Sequence, residues 1–299
     1  MCSLATASSF TPCAAKSPYY LHARGGVVVQ CTQHDPETIE NTVPVTSPAT
    51  IELIAISETQ GPFAASHDAS GTTTIWNLRT GEAVALGRTG APVTALVWLG
   101  HTLVFGNKSG EIRTYNLKFE KWSSFMLLPG VAITALSPCP DGGSVAIGFE
   151  NGSLFIALAC DFRIKRVLHT PVVSSIVSLD WHLKSHELIV QGATGSLNVW
   201  NVKRGLIKIA LRKRERDSRI DGPLWASWVG DRVIEVFGCE ATLWNVESGC
   251  CERLPPDSSI KGWVVEPSTA TLLAVRDGDK LRPVYLGLEA SSCSHKQKR

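Results

Sequence analysis

Gly71-Thr-Thr-Thr-Ile-Trp-Asn-Leu78 is the stretch that decides the fold, because variants of it recur along the whole chain. Its β-branched and aromatic residues, introduced by a glycine, are typical of a short strand that follows a turn. Four further copies have their aromatic position at 115, 157 (an alanine here), 200 and 244, so successive copies are 39, 42, 43 and 44 residues apart. They are Gly110-Glu-Ile-Arg-Thr-Tyr-Asn-Leu117, Gly152-Ser-Leu-Phe-Ile-Ala-Leu158, Gly195-Ser-Leu-Asn-Val-Trp-Asn-Val202 and Ala241-Thr-Leu-Trp-Asn-Val246.

A second series of strand-like segments repeats with the same period. These segments start at 54, 94, 134, 177, 224 and 263, which are 40, 40, 43, 47 and 39 residues apart. Between the two series lie apolar runs that end in glycine, such as Ser144-Val-Ala-Ile-Gly148, and a fourth strand follows each aromatic, as in Leu206-Ile-Lys-Ile-Ala-Leu211. Four short strands joined by turns in about forty residues correspond to one blade of a β-propeller, whose neighbours cover the faces that a lone sheet leaves open.

The repeats predict an all-β chain that forms one β-propeller of four-stranded antiparallel blades. Weaker end repeats at 19–31 and 272–286 bring the expected number of blades to seven, while six blades or a truncated larger ring stay open. The predicted blades span 1–46, 47–88, 89–128, 129–170, 171–219, 220–258 and 259–286, and 287–299 is expected to be a disordered basic tail.

The strand that ends in Trp-Asn resembles the third strand of WD-repeat propellers. Trp76-Asn-Leu-Arg-Thr-Gly-Glu82 and Trp244-Asn-Val-Glu-Ser-Gly249 match that family's turn after the tryptophan most closely. The resemblance implies a non-catalytic adaptor that binds other proteins. Two features depart from the family: no repeat has its Gly-His pair ahead of the first strand, and asparagine follows every aromatic where the family has aspartate. We therefore expect blades without the His–Asp–Trp hydrogen bonds, held by apolar packing and backbone ladders.

The composition limits the class of protein. Apolar residues make up 44% of the chain and charged residues 19%, which excludes general disorder, and a net charge of +2 gives no overall attraction to nucleic acid or membranes. No apolar run approaches the roughly 18–20 residues that cross a bilayer. The nine cysteines are scattered and form no Cys-x-x-Cys pair, which is typical of buried cysteines in a protein of a reducing compartment. We expect a cytoplasmic or nuclear protein; residues 1–34, which lack acids, leave an organellar transit peptide open but less favoured.

No catalytic or cofactor motif is evident in the sequence. It lacks a nucleophile elbow, a phosphate-binding glycine loop and a His-Glu-x-x-His metal motif. His182 and His186 are the one close histidine pair, and they fall in a predicted turn rather than on a helix, so we expect a solvated turn there. The sequence therefore predicts no enzyme, cofactor or metal site, with a propeller enzyme that uses the central channel as the least favoured alternative.

Cations concentrate where two repeats are farthest apart, at 47 residues. Such a cluster could contact an acidic protein or, as the main alternative function, phosphoinositides of an anionic membrane; nucleic acid is not favoured because acids dilute the charge. Trp225 or Trp228 is expected to be partly exposed beside it. The recurring tryptophans at 98, 181, 225, 228 and 263 are otherwise expected to pack between blades, with an exposed stacking platform on one rim as the less favoured alternative. The cluster consists of Lys203, Arg204, Arg212, Lys213, Arg214, Arg216 and Arg219.

The loops that enter the first strands and join the middle strands form the usual partner-binding rim of WD-repeat propellers. Transferred to this chain, that rim includes turn residues that are equally common in turns without any binding role. The candidates are His67, Asp68, Asn107, Lys108, Glu150, Asn151, Arg276 and Asp277.

Overall fold

The recurring segment forms the third strand of an antiparallel sheet in the computed structural model of the chain. The structure describes residues 13–16, 18–33, 39–57, 62–88, 90–168, 174–212, 224–237, 240–254, 259–266, 271–276 and 280–284. All regular elements in these ranges are β-strands, 27 in number, and none of the described residues belongs to a helix that could cross a membrane.

The strands form six four-stranded sheets and a last sheet of three strands, each with its strands in chain order. We call the four-stranded sheets blades 1 to 6. Blade 1 contains β1 (Cys13–Lys16), β2 (Tyr19–Arg24), β3 (Val27–Gln33) and β4 (Ile39–Thr46); blade 2 contains β5 (Ile51–Ile56), β6 (Phe63–Asp68), β7 (Thr72–Asn77) and β8 (Ala83–Arg88); blade 3 contains β9 (Val93–Leu99), β10 (Thr102–Asn107), β11 (Glu111–Asn116) and β12 (Lys121–Met126).

The remaining strands continue the same meander. Blade 4 contains β13 (Ile133–Pro138), β14 (Ser144–Phe149), β15 (Leu154–Leu158) and β16 (Ile164–Leu168); blade 5 contains β17 (Ile176–Trp181), β18 (Glu187–Gly192), β19 (Leu197–Asn201) and β20 (Leu206–Arg212); blade 6 contains β21 (Leu224–Val229), β22 (Arg232–Phe237), β23 (Glu240–Asn245) and β24 (Cys251–Arg253); the last sheet contains β25 (Ile260–Glu266), β26 (Thr271–Arg276) and β27 (Lys280–Val284).

The sheets pack face to face around a ring. The first strands of consecutive sheets contact each other in order, and β25 contacts β1, which closes the ring. A separate apolar core fills each space between neighbouring sheets, the smallest being that between the last sheet and blade 1, where Val264 meets Ala15. The second strands are the most buried, and β14 is buried at every position, whereas the outer strand β12 is exposed or half-buried throughout. This gradient explains why the second strands have apolar runs instead of alternation.

The predicted number of seven four-stranded blades needs correction. The described residues contain six four-stranded blades, and the last sheet has three strands, because its described part ends with β27 at Val284. The predicted all-β propeller of antiparallel blades is confirmed. Within residues 1–34, where a transit peptide was the less favoured alternative, residues 13–16, 19–24 and 27–33 form the first three strands of blade 1. The predicted tail at 287–299 lies outside the described residues.

The asparagine that follows each aromatic has a local structural role. The side-chain oxygen of Asn77 accepts hydrogen bonds from the backbone amides of Arg79 and Thr80, at 2.9 and 3.3 Å, and Asn245 does the same two and three residues onward. The turn then needs a left-handed residue four positions after the asparagine, and Gly81 supplies it with φ of +73°. In blade 3 Glu120 occupies this position with φ of +51°. The Trp-Asn pattern thus encodes the turn between the third and fourth strands.

The expected absence of polar partners for the third-strand tryptophans is only partly correct. Trp76 donates from Nε1 to Gln30 Oε1 of blade 1 at 3.1 Å, and Trp244 donates to buried Glu235 at 3.3 Å. Trp200 Nε1 finds no acceptor among the described residues. Glutamine and glutamate therefore serve two blades where the WD-repeat pattern uses histidine and aspartate.

Candidate functional site

The loops of the ring divide into two rims, because consecutive strands run in opposite directions. Turns between second and third strands, together with connections between blades, lie on one rim, which we call the hairpin rim; it includes residues 68–72, 107–111 and 149–153. The remaining turns lie on the opposite rim, which we call the pocket rim; it includes 139–143, 182–186 and 202–205. Each rim brings together turns that are about one repeat apart in sequence.

The candidate residues of the hairpin rim separate into a buried and an exposed group. His67, Asp68 and Asn107 have relative exposures of only 3%, 4% and 1%, so they support the turns from beneath. Lys108 and the neighbouring pair of Glu150 and Asn151 are exposed and available for contact with a partner. Sequence reasoning could not separate the groups, because the same residue types occur at buried and exposed turn positions.

Asp68 organises the turn between β6 and β7. Its Oδ1 accepts hydrogen bonds from the backbone amides of Ser70 and Thr72 at 2.9 and 3.0 Å and from the Ser70 hydroxyl at 2.6 Å, while Oδ2 accepts from the Ser47 hydroxyl at 2.6 Å. Burial alone would raise the pKa of Asp68, but these hydrogen bonds outweigh it and the pKa is lowered. Beside it, burial lowers the pKa of His67, so the imidazole is neutral and its Nδ1 lies 2.9 Å from the Thr73 hydroxyl. Both residues are used by the fold.

Strand β20 divides the predicted basic cluster. Lys203 and Arg204 are exposed on the pocket rim ahead of β20, and Arg212 ends the strand at the hairpin rim. Seven residues at about 3.3 Å each place roughly 20 Å between the two ends. Lys203 and Arg204 therefore do not form one patch with Arg212. Lys213, Arg214, Arg216 and Arg219 lie outside the described residues, as does Asp277, and the side chain of Arg276, which ends β26, is also not described.

Most of the recurring tryptophans tie neighbouring blades together. Trp98, Trp181 and Trp228 each donate from Nε1 to a backbone carbonyl in the first strand of the preceding blade, at 3.3, 3.1 and 3.2 Å. Trp225, which the sequence predicts to be partly exposed, is half-buried and packs against the core between blade 6 and the last sheet. A stacking platform on one rim is therefore not supported by these side chains.

Threonine and serine hydroxyls add a second set of ties. Thr134 Oγ1 donates to the carbonyl of Ile176 in blade 5 at 2.5 Å, and Ser178 Oγ donates to the carbonyl of Ala226 in blade 6 at 2.9 Å. Thr94 makes the matching bond to the carbonyl of Ile133. These bonds fix the first strands to each other, so the ring presents its turns on a rigid frame.

Described residues of blades 4 and 5 line a pocket of about 370 Å³ on the pocket rim. Its chemistry comes from Cys139 and Asp141 in the turn between β13 and β14, and from His186 in the turn between β17 and β18. The Cys139 sulfur, an Asp141 carboxylate oxygen and a His186 ring nitrogen all lie within 4.8 Å of one another. Lys165 and Lys203 also line the pocket. The sequence does not predict this group, because His182 is the histidine nearest to His186 along the chain and Cys139 appears as an isolated cysteine.

The electrostatics of the pocket differ between its two acidic groups. Burial raises the pKa of the Cys139 thiol to about 11, so the thiol keeps its proton at neutral pH. The backbone amide of Gly143 donates to Asp141 at 2.8 Å and lowers the pKa of that carboxyl, aided by nearby His186 and Lys165. His182, the predicted partner of His186, instead accepts hydrogen bonds from the amides of Lys184 and Ser185 and faces Asp231 at 3.3 Å. The turn that holds His186 is thereby fixed by His182.

The geometry defines the class of protein as a β-propeller. No family model and no curated protein matches the chain. Solved structures agree with the β-propeller fold. Among solved structures, the chain is similar to a chain of the "Crystal Structure of Mitotic Checkpoint Complex", with a TM-score of 0.74 and 15% sequence identity over 93% of this chain and 87% of that chain. Since 1710 chains of solved structures match this widespread architecture, the similarity shows the fold and no particular activity.

Proposed function

We propose that the protein is a non-catalytic, WD-repeat-like interaction scaffold that binds protein partners through the hairpin rim. The observation that carries the proposal is that some polar residues of this rim are buried within the fold while others are exposed to solvent. His67 and Asp68, the residues with catalytic potential on this rim, are buried and hydrogen-bonded at the turn of blade 2, while Lys108, Glu150 and Asn151 are exposed in the turns of blades 3 and 4. A rigid turn that presents charged groups suits recognition of a partner surface.

The frame beneath this surface supports the proposal. The tryptophan and hydroxyl ties join blades 2 to 6 through their first strands, so a partner that contacts several turns meets a preorganised surface. Preorganisation lowers the entropy lost on binding, which favours surfaces assembled from many short turns. The similar propeller is a chain of a protein complex, and we extend assembly with other proteins to this chain as part of the proposal.

The test is affinity capture from a cell lysate with the full chain carrying charge reversals on the hairpin rim. We expect Lys108→Glu combined with Glu150→Lys to weaken capture of specific partners by roughly tenfold or more, since like charges facing each other across an interface cost several kcal/mol. Both side chains are exposed, so the thermal midpoint should not change.

Matched controls lie on the pocket rim. Lys184→Glu combined with Glu247→Lys makes the same charge changes at exposed turn positions of that rim and should leave partner capture intact. Equal loss from both double variants would show that net charge pattern, rather than the hairpin rim, governs binding. Loss from the pocket-rim pair alone would refute the assignment of the partner surface.

A vesicle flotation assay separates the scaffold from a phosphoinositide reader. A lipid-binding role predicts flotation with anionic vesicles that charge reversal at Arg212, Lys213 and Arg214 abolishes. The scaffold predicts no such flotation. Flotation that disappears in the reversed variant, together with unchanged protein capture in the hairpin-rim variant, would replace the proposal.

A further inference from the structure

We propose that Cys139, Asp141 and His186 form a zinc site that joins blades 4 and 5 on the pocket rim. The proposal is independent of partner binding at the hairpin rim. A thiolate, a carboxylate and an imidazole are all ligands that zinc takes, and three protein ligands leave the fourth tetrahedral position to water. That position faces the pocket of about 370 Å³ which the three residues line.

The donor geometry is close to that of a bound site. The three donor atoms lie within 4.8 Å of one another, and donors of a tetrahedral zinc site with bonds of about 2.0–2.3 Å are roughly 3.3–3.8 Å apart. Closing this difference requires the most distant donor atoms to approach each other by about 1.0–1.5 Å. Asp141 and His186 are exposed and can rotate, while Cys139 is buried and fixes the position of the sulfur. We therefore expect rotation of the Asp141 and His186 side chains to bring the ligands together without movement of the strands.

Both turns that supply the ligands are held in place. In the turn after β13, the Cys139 amide donates to the Ser144 carbonyl at 2.9 Å and the Gly142 amide donates to the Cys139 carbonyl at 2.8 Å. In the turn after β17, His182 accepts two backbone amides, as described above. Trp181 joins the two blades next to the pocket through its hydrogen bond to the Ser137 carbonyl at 3.1 Å. The ligands therefore come from two closed turns on a common support, which is what a metal site requires.

Zinc binding itself creates charges that favour a cation at this position, because zinc displaces the proton that the Cys139 thiol otherwise keeps at neutral pH. With the thiol deprotonated, Cys139 and Asp141 carry two negative charges, which a divalent ion neutralises. Arg166 contributes little to an anion site, because its Nη1 already donates to the backbone carbonyls of Val202 and Lys203, at 2.5 and 3.1 Å. Lys165 and Lys203 are exposed and screened by solvent. On binding, zinc replaces the thiol proton, which passes to solvent, and forms the zinc–sulfur bond.

The test starts from the full chain after a chelator has removed any bound metal. This chain is titrated with Zn²⁺ alone, and binding is measured by calorimetry and by thermal unfolding. We expect one zinc per chain, release of a proton, and a higher unfolding temperature, since a ligand that binds only the folded state stabilises it. Titration with Co²⁺ should give a thiolate-to-cobalt charge-transfer band and the visible bands of a tetrahedral ion. His186→Ala should weaken binding by at least the roughly 10- to 100-fold that loss of a supporting contact to a ligand causes.

The controls separate a built site from general thiol or imidazole binding. Cys160→Ser and His101→Ala remove an exposed cysteine and an exposed histidine elsewhere on the same rim, and should leave affinity and the cobalt spectrum unchanged. Asp141→Asn keeps an oxygen that can accept the Gly143 amide, so weaker zinc binding with an unchanged thermal midpoint of the metal-free chain would report the lost ligand and not a lost fold.

Three outcomes would overturn the proposal. These are absence of zinc binding, a cobalt spectrum without a charge-transfer band, and equal weakening by the control and site variants. Stabilisation by inorganic phosphate that is lost in Lys165→Gln, with none by zinc, would instead identify the pocket as an anion site.

Discussion

Asp68 tests whether the candidate turn residues serve the fold or the partner. The change is Asp68→Ala, which removes four hydrogen-bond acceptances: two from the backbone amides of Ser70 and Thr72, one from the Ser70 hydroxyl and one from the Ser47 hydroxyl. Hydrogen bonds to a charged group contribute about 1.5–3 kcal/mol each when buried. Ser70 is exposed and Thr72 is half-buried, so water can take over part of these hydrogen bonds in the variant. We therefore expect the free energy of unfolding to fall by about 3 kcal/mol.

Asn107 provides the matched comparison within the same chain. It occupies the corresponding position of blade 3, and its Oδ1 accepts the backbone amides of Ser109 and Glu111 at 3.0 Å each. An amide side chain can therefore hold this turn. Asp68→Asn should keep the bonds from Ser70 and Thr72 and cost about 1 kcal/mol or less. Urea denaturation followed by tryptophan fluorescence measures both variants.

The pH dependence gives an independent check on the charge of Asp68. Its pKa is lowered in the folded protein, so as pH falls the unfolded chain takes up its proton first and the stabilisation is lost. The contribution is fully present above the ordinary carboxyl pKa of 3.8 and disappears as pH falls through the lower folded value. The difference in stability between the native chain and Asp68→Asn should therefore shrink with acid below that point. A difference that is constant with pH, or an asparagine variant as unstable as the alanine variant, would refute this account of the turn.

Two further predictions concern contacts between blades. Trp181→Phe removes the hydrogen bond to the Ser137 carbonyl but keeps most of the packing, so it should lower the free energy of unfolding by about 1–2 kcal/mol in urea denaturation. Trp263→Phe should lower it by less, because Trp263 Nε1 finds no acceptor among the described residues, and equal losses would contradict a stabilising role for the Trp181 hydrogen bond. Gly148→Ala would place its Cβ 2.6 Å from Ile176 Cγ2 in the next blade, and this overpacking should lower the free energy of unfolding by about 1–3 kcal/mol and lower the thermal midpoint. An unchanged midpoint would mean that blades 4 and 5 can separate at little cost.

The strand pattern could be predicted because most blades repeat the same local chemistry. A glycine opens the third strand, an aromatic fills the space between blades, and an asparagine closes the next turn, so spacing alone locates these strands. The glycines that end the second strands were also evident in the sequence, but the physical reason for a glycine at these positions was not. Cβ atoms at Gly106 and Gly148 would lie 2.5 and 2.6 Å from an isoleucine of the neighbouring blade, which no single repeat can reveal. The number of complete blades was overestimated, since the end repeats match the pattern least.

The candidate surface was harder to predict, because burial within a turn depends on the neighbouring blade. Asp68 and Lys108 are both polar turn residues, yet Asp68 accepts a hydrogen bond from Ser47, which lies in the connection from blade 1, and Lys108 faces solvent. The basic cluster failed for a related reason. Lys203 and Arg212 are close in sequence, but an intervening strand carries them to opposite rims. Proximity in sequence is a poor guide to proximity in a meander, where the chain reverses rim with each strand.

The useful distance in this fold is one repeat, because corresponding turns of adjacent blades meet on the same rim. Trp181 and Ser137 are 44 residues apart, and His182 reaches Asp231 across 49 residues. Cys139 and His186, separated by 47 residues, obey the same rule, although each appears isolated in the sequence. A search for reactive side chains one repeat apart, in turns of the same rim, therefore finds candidate sites that linear motifs miss. In a ring whose tryptophans and threonines are already used to join blades, such pairs of turns are where new chemistry can arise without loss of the fold.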